Sequence, residues 1–409
     1  MSAPPSGWKE SRLSDLGVCI RGVSYNPEVD LRERDSLDSA RLLRSNNVQD
    51  SSLDLKYLQF VSMLRVSPSQ KMTPGDVLIC MANGSKQLVG KAARFDVQGS
   101  YKYTFGAFMG VYRPFDKTDS GFIYFLMQSK AYKNYLDVAL SGSSINNLRP
   151  SNILEMTFTI PERDERIRIS TVLGELDLLV RELDKLIVKK RDIKQGAMQQ
   201  LLTGKTRLKG FSEDWRIGKV RDLTRTVSGG TPDTSRPEFW ADGQIPWMSS
   251  GELHARRINR ARGRITVLGL VESSAQLVPP GSVLIGLAGQ GKTRGTVAIT
   301  EIELCTNQSI AAILPTGVFC SDYLFHNLSN RYEELRSLST GDGGRGGLNL
   351  TILGNLEIPW PILKEQQAIA QVLSDMDAEI DALVARREKT ALIKTGMMQE
   401  LLTGRTRLL

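Results

Sequence analysis

Residues 196–208 read GAMQQLLTGKTRL and residues 396–408 read GMMQELLTGRTRL, so one phrase returns 200 positions later. Upstream the same offset aligns Val172 and Leu173 with Val372 and Leu373, Asp177 with Asp377, Leu183 with Leu383, and Ile193 and Lys194 with Ile393 and Lys394. Agreement at a fixed period over this length marks a tandem duplication, so the architecture is that of one half built twice.

The repeated block carries a helical period. Ile169, Leu173, Leu176, Val180, Leu183 and Ile187 follow the alternating four-and-three spacing of a coiled-coil seam, and Ile369, Leu373, Met376, Ile380 and Leu383 answer in the second copy. Two readings stay open for these stripes: packing of each helix on its own globule, or pairing of the helices with each other, which a shared register favours. The pattern predicts one helix from near Glu162 to Leu202, ending at Gly204, and a second from near Lys364 to Leu402, ending at Gly404, where glycine can take the left-handed cap conformation.

The segments ahead of the helices also correspond, at an offset of 206 or 207. Trp8, Asp15 and Leu16 answer Trp215, Asp222 and Leu223, and residues 74–79 (PGDVLI) answer residues 280–285 (PGSVLI). Between these anchors the halves diverge: Arg44 to Asn47 stands roughly where Trp247 to Ser250 stands, and residues 141–147 face residues 340–346. Short β-rich runs at Val77 to Cys80, Phe108 to Tyr112, Val283 to Leu287 and Ile310 to Leu314, separated by Gly, Pro, Asn and Ser, predict mixed α/β (α+β) globules. The expected division is a globule at 1–160, a long helix at 161–208, a second globule at 209–360 and a second long helix at 361–409.

Composition narrows the function. A chain of 409 residues exceeds the roughly 100–200 expected of one domain, and 41% hydrophobic residues suffice for real cores. No apolar run approaches the roughly 20 residues that cross a bilayer, and residues 1–7 lack the order of a secretory signal, so a soluble, cytoplasmic protein is expected. Cys19, Cys80, Cys305 and Cys320 are too dispersed for a disulfide framework or a metal knuckle, and His254 and His326 have no clustered ligands, so no metal is expected. The net charge of +8 suits a polyanionic partner without proving one. Helices of about 40 residues would extend about 60 Å, nearly two turns of B-DNA.

The chain resembles the specificity (S) subunits of type I restriction-modification systems. The resemblance covers essentially all of it and rests on residues 229–232 (GGTP), Phe239, Trp240, residues 244–247 (QIPW), the two Pro-Gly-x-Val-Leu-Ile runs and the two Leu-Leu-Thr-Gly-x-Thr-Arg-Leu helix ends. The first half departs from the pattern, with Gly22 to Tyr25 near the place of the Gly-Gly-Thr-Pro run. The resemblance implies two target-recognition domains held apart by helices that pack as an antiparallel coiled coil with pseudo-two-fold symmetry, each domain reading half of a bipartite, asymmetric DNA target. It also implies a subunit with no chemistry or cofactor of its own. Two methyltransferase subunits using S-adenosylmethionine, and two ATP- and Mg-dependent restriction subunits, would act on the DNA it selects.

The residues themselves agree. No methyltransferase motif and no catalytic Ser/His or Cys/His arrangement is present, and unlike loops on a shared frame suit unlike half-sites. Residues 286–293 match the GxxxxGK[ST] phosphate loop, but the β-branched Arg294 to Thr300 that follows predicts a strand where nucleotide binding needs a helix. Lys86 and Lys292, with Gln87 and Arg294 beside them, can reach a phosphate or a guanine edge, or can be ordinary solvated side chains. Arg256, Arg257 and Arg260 head the densest basic run, either a phosphate-tracking surface or a solvated one. Arg44, Asn46, Asn47, Asn146, Asn147, Arg149 and Arg345 are the residues suited to paired hydrogen bonds with adenine or guanine, although Asn also simply forms turns. Lys189, Lys190, Arg191 and Lys194, with Arg386, Arg387, Lys389 and Lys394, make the far parts of the helices basic, either to track DNA or for solubility. A P-loop NTPase and a coiled-coil scaffold without DNA contact are the competing functions.

Overall fold

The run Val77 to Cys80 contains no polar side chain, and unbroken aliphatic residues suit a strand covered on both faces. In the computed structural model, which describes residues 5–141, 146–289, 291–338 and 347–408, it is a strand with every residue buried. Gly17–Arg21 (β1), Val77–Cys80 (β2), Ala92–Arg94 (β3) and Met109–Pro114 (β4) form an antiparallel sheet in the order β1-β4-β2-β3. Register sets Gly110 opposite both Arg21 and Ile79. A second sheet places Ser39–Leu43 parallel to Tyr103–Phe105. Lys9–Arg12 pairs antiparallel with Thr157–Ile160, which delivers the chain to the long helix Arg163–Leu201 (α1).

This first unit comprises Met1–Asp184 together with Arg386–Leu409, and so takes in the end of a second long helix, Leu363–Leu401 (α2). Its core joins Leu13, Ile79, Tyr112, Phe122 and Phe125 to Ile169 and Leu173 of α1 and to Leu401 and Leu402. The carboxylate of Glu165 accepts hydrogen bonds from Trp8 Nε1 at 3.1 Å and from Arg407 Nε and Nη2 at 2.8 Å each. Further along the helices Asp184 pairs with Arg387 at 2.9 Å, and Asp177 with Lys394.

The second unit is Lys185–Ala385. Thr226–Ser228 (β5), Arg257–Ile258 (β6), Val283–Gly286 (β7), Val297–Thr300 (β8) and Ile310–Ile313 (β9) form a sheet in the order β5-β9-β7-β8-β6. Ile245–Met248 runs parallel to Leu304–Thr306, and Arg216–Lys219 pairs antiparallel with Glu357–Trp360 ahead of α2. Met198, Leu201 and Leu202 share the core of this unit with Ile285, Ile313, Tyr323, Ile369 and Leu373. Trp215 Nε1 and Arg207 Nε bind Glu365 at 3.0 and 2.6 Å, and Lys190 and Lys194 pair with Glu379 and Asp377.

Both glycines expected to cap the helices are left-handed, Gly204 at φ 69° and Gly404 at φ 70°. A Cβ on Gly204 would also come within 3.3 Å of the Trp215 ring, a tight contact that adds to the conformational preference for glycine there. The apolar stripes serve the first of the two expected purposes, packing on the globules. Ile169, Leu173, Ile369 and Leu373 enter globule cores, while Leu183 and Ile187 are buried further along α1. Two expectations need correction. Phe108 precedes the strand Met109–Pro114 instead of opening it. The segment matching Arg44–Asn47 is Ser249–Glu252, not Trp247–Ser250: Asn47 Oδ1 accepts the Arg44 N–H at 2.9 Å just as Glu252 Oε1 accepts the Ser249 N–H at 3.1 Å.

Candidate nucleic-acid interface

In the first unit, the end of the central sheet where β2 stops and β4 starts gathers several of the expected residues. The Met81 and Ala82 N–H groups donate to Phe108 O at 2.9 and 3.0 Å, and Leu148 N–H donates to Met81 O at 2.7 Å. Those bonds lay residues 146–148 alongside the loop that follows β2. Asn146 Nδ2 donates to Gly84 O at 3.2 Å. Arg21, at the end of β1, donates Nε to Ala107 O, Nη1 to Leu148 O and Nη2 to Asn147 Oδ1 at 3.1, 3.2 and 3.0 Å. Lys86 and Gln87 stand exposed on the short turn Lys86–Leu88, and Asn147 and Arg149 are also exposed. Lys86, Gln87, Asn146 and Asn147 therefore share one patch.

The Arg44–Asn47 segment divides. Asn47 is fully buried, with Nδ2 donating to Asp54 O and Lys56 O at 2.9 and 3.3 Å. All three of its bonds close its own loop, so it holds that loop in shape and is out of reach of a base, contrary to expectation. Asn46 is exposed. Arg44 lies beside Gly106, whose Cβ position would be 3.9 Å from Arg44 Cγ, and its Nε is buried without a hydrogen-bond partner.

In the second unit the equivalent end of the sheet carries Lys292, exposed, and Arg294, half-buried. Thr296 Oγ1 and the Tyr332 hydroxyl donate to Lys292 O at 2.7 and 3.0 Å, and Arg336 Nη1 donates to Gly291 O at 2.8 Å. His254, Lys292, Tyr332, Glu333 and Arg336 are among the residues lining a recess of about 740 Å³. The phosphate-loop pattern here leads, through Gly295 at φ 79°, into the strand Val297–Thr300. A strand thus follows where a phosphate loop needs its lysine to open a helix. Arg345 lies outside the described residues.

The basic run is only partly open to a ligand. Arg256 grips both oxygens of Asp377 at 3.0 and 3.2 Å, and Arg257 reaches Asp322 at 2.5 Å and Glu301 at 3.4 Å. Both guanidinium groups anchor the loop to its own unit, while Arg260 and Arg262 are exposed. The helix cations Lys190, Lys194, Arg387 and Lys394 likewise face carboxylates. The sequence missed Arg21 and Phe108. Arg21 had no neighbouring basic residue to draw attention, and Phe108 sits in an apolar run that reads as strand.

Burial pushes the Cys19 thiol up to about 12, with Arg21 working against it, and burial pushes Cys305 up to about 11. Neither is a ready nucleophile at neutral pH. Among the described residues, no three His, Cys, Asp or Glu side chains are grouped to hold a metal, and no helix is long and apolar enough to cross a membrane.

Comparison with known proteins supplies the family. Residues 212–392 match the type I restriction modification DNA specificity domain. Over 409 aligned residues the chain is 31% identical to the type I restriction enzyme StySPI specificity subunit of Salmonella potsdam, covering 97% of this chain and 87% of that protein. It is 31% identical over 216 residues to the EcoKI specificity subunit of Escherichia coli K12, a match spanning 52% of this chain and 45% of the relative. The crystal structure of a type I restriction-modification S subunit from M. genitalium matches with a TM-score of 0.65 at 13% identity, over 98% of each chain. A chain from a structural study of complex assembly and conformational transition in the type I system matches at 0.57 and 17% identity, over 98% of this chain and 99% of that one. At these identities the structural likeness is one of fold.

Proposed function

The chain belongs to the type I restriction enzyme specificity subunits, and on that premise we propose that its two units each read one half of a bipartite, asymmetric DNA target and direct partner methyltransferase and restriction subunits to it. Specificity subunits are the non-catalytic members of these systems. One observation carries the reading: the same sheet end recurs in both units with a lysine at the same offset, Lys86 and Lys292, among unlike neighbours. A retained cation suits phosphates, which are the same in every sequence, and changed neighbours suit bases, which are not.

The two long helices, in this proposal, form an antiparallel coiled coil with pseudo-two-fold symmetry that sets the unread gap. Support comes from two ion pairs related by one 200-residue shift, Lys194 with Asp377 in one unit and Lys394 with Asp177 in the other. Two methyltransferase and two restriction subunits complete the assembly, and S-adenosylmethionine, ATP and Mg belong to them. Lys86, Gln87, Asn46, Asn146, Asn147, Arg149, Arg44, Arg260, Lys292, Arg294 and Arg345 remain the DNA-contact candidates, with Arg256 and Arg257 placing the loop that bears Arg260.

The test is a methylome. The chain is co-expressed with its methyltransferase partner in an unmethylated host, and N6-methyladenine is mapped by single-molecule sequencing. One gapped motif that disappears when this chain is omitted is the expected result. Methylation unchanged by its omission would leave the scaffold reading in its place.

A further inference from the structure

The duplication provides an internal control for separating frame from reader. Positions that hold the frame keep their chemistry in both units, as Glu165 and Glu365 do with Trp8 and Trp215. A position at the reading end that is displayed to solvent and differs between the units is free to carry the reading.

Phe108 is such a position. Its carbonyl is held by the Met81 and Ala82 N–H groups, Arg21 Nε holds the preceding carbonyl at 3.1 Å, and the following N–H, that of Met109, is bonded to Gly106 O at 2.8 Å. The backbone is thus tied on both sides of the residue, yet Phe108 is 70% exposed. In the second unit Leu287 N–H makes the matching bond to Ser309 O at 2.8 Å, so serine stands where Phe108 stands in the first. A protein-docking patch would surround such a ring with further apolar groups. Among the described residues, the exposed or half-exposed side chains on the neighbouring loops include Lys86, Gln87, Asn146 and Asn147, which suit a partner with an anionic rim and apolar base faces or thymine methyl groups within it.

We propose that Phe108 is a specificity-determining contact of the first unit, packing its ring against a base of duplex DNA in the half-site that this unit reads. The proposal rests on the chain's being a DNA specificity subunit. The two possible modes share one chemistry: contact with a thymine methyl leaves the duplex straight, whereas a wedge between base steps kinks it.

The experiment uses the chain assembled with its methyltransferase partner, as parent, Phe108→Ser and Phe108→Tyr, with methylome mapping and fluorescence anisotropy on the mapped motif. Phe108→Ser is expected to relax the motif at one base pair in one half-site and to weaken binding of the cognate duplex about tenfold. The other half-site and the salt dependence stay as in the parent, Phe108→Tyr keeps the motif, and end-to-end energy transfer on the bound duplex separates the wedge from the methyl contact. An unchanged motif with affinity within about twofold of parent overturns the proposal. So does an equal loss on unrelated sequences, or a lowered melting temperature, either of which would make Phe108 part of the frame. A parent assembly that methylates no gapped motif defeats the underlying reading instead, so the two failures are told apart.

Discussion

Arg407 holds Glu165 with two bonds of 2.8 Å, joining the end of the second repeat to the start of the first long helix. Arg207 and Glu365 make the same fork in the other unit at 2.6 and 2.7 Å. Each carboxylate is almost fully buried, so removing its cation leaves a charge shielded from solvent, without a counter-ion and held by neutral N–H donors such as Trp8 Nε1 and Trp215 Nε1. Arg407→Ala should lower the unfolding free energy by about 3 kcal/mol in urea titrations. Arg407→Lys should recover less than half of that, because an ammonium cannot reproduce the fork. An Arg407→Ala protein within about 0.5 kcal/mol of parent would show that the fork contributes little.

His326 supplies a pH dependence. Its ring is fully buried, with Nε2 3.1 Å from Ser374 Oγ and Nδ1 4.0 Å from Asp377 Oδ2. Burial, followed by the charge of Lys194, lowers its pKa from 6.5 to about 4. A depressed folded value means that the unfolded chain takes up the proton first. The contribution is therefore complete above pH 6.5 and is lost as pH falls from there through about 4. The loss is on the order of 3 kcal/mol. His326→Gln should flatten the stability profile of the full chain across that window, and an identical profile in parent and variant would count against it.

Lys86 and Lys292 are predicted to act on phosphates. Lys86→Ala and Lys292→Ala should each weaken binding to cognate and unrelated duplexes alike and reduce the slope of log K against log salt by about one. The methylated motif should not change. A changed motif would move either lysine to a base edge.

Asn47→Ala should behave oppositely to a lost DNA contact. Three hydrogen bonds disappear from a buried site, and stability should fall by about 1–3 kcal/mol in thermal or urea unfolding. The motif should be retained at permissive temperature. A stable protein with an altered motif would overturn this assignment.

Local signals were legible in the sequence, and distant pairings were not. The long helices were placed from near Glu162 to Leu202 and from near Lys364 to Leu402, and they run Arg163–Leu201 and Leu363–Leu401. Their C-terminal ends are each followed within three residues by a glycine that readily takes the required positive φ. The strand Val77–Cys80 was legible because its composition leaves no polar face. For Arg256 the sequence offers a phosphate-tracking or a solvated role, because nothing near it in the chain indicates Asp377, which lies 121 positions on. Asn47 illustrates the same limit: a turn-forming amide and a base-reading amide have identical sequence signatures, and only burial separates them. Phe108 went unnoticed because an apolar residue beside a strand is normally part of it.

Leu401, Leu402 and Arg407 complete the core and the clamp of a unit whose other parts begin at Trp8. Synthesis makes that arrangement asymmetric in time. At about 5–20 residues per second, the roughly 200 residues that separate the first long helix from its completing segment occupy about 10–40 s on the ribosome. The second unit has no such wait, since its completing segment, Met198 to Arg207, is made before its own globule. The globule that is started first is therefore closed last, and throughout that interval the apolar surface awaiting Leu401 and Leu402 is open to chaperones or to another copy of the chain.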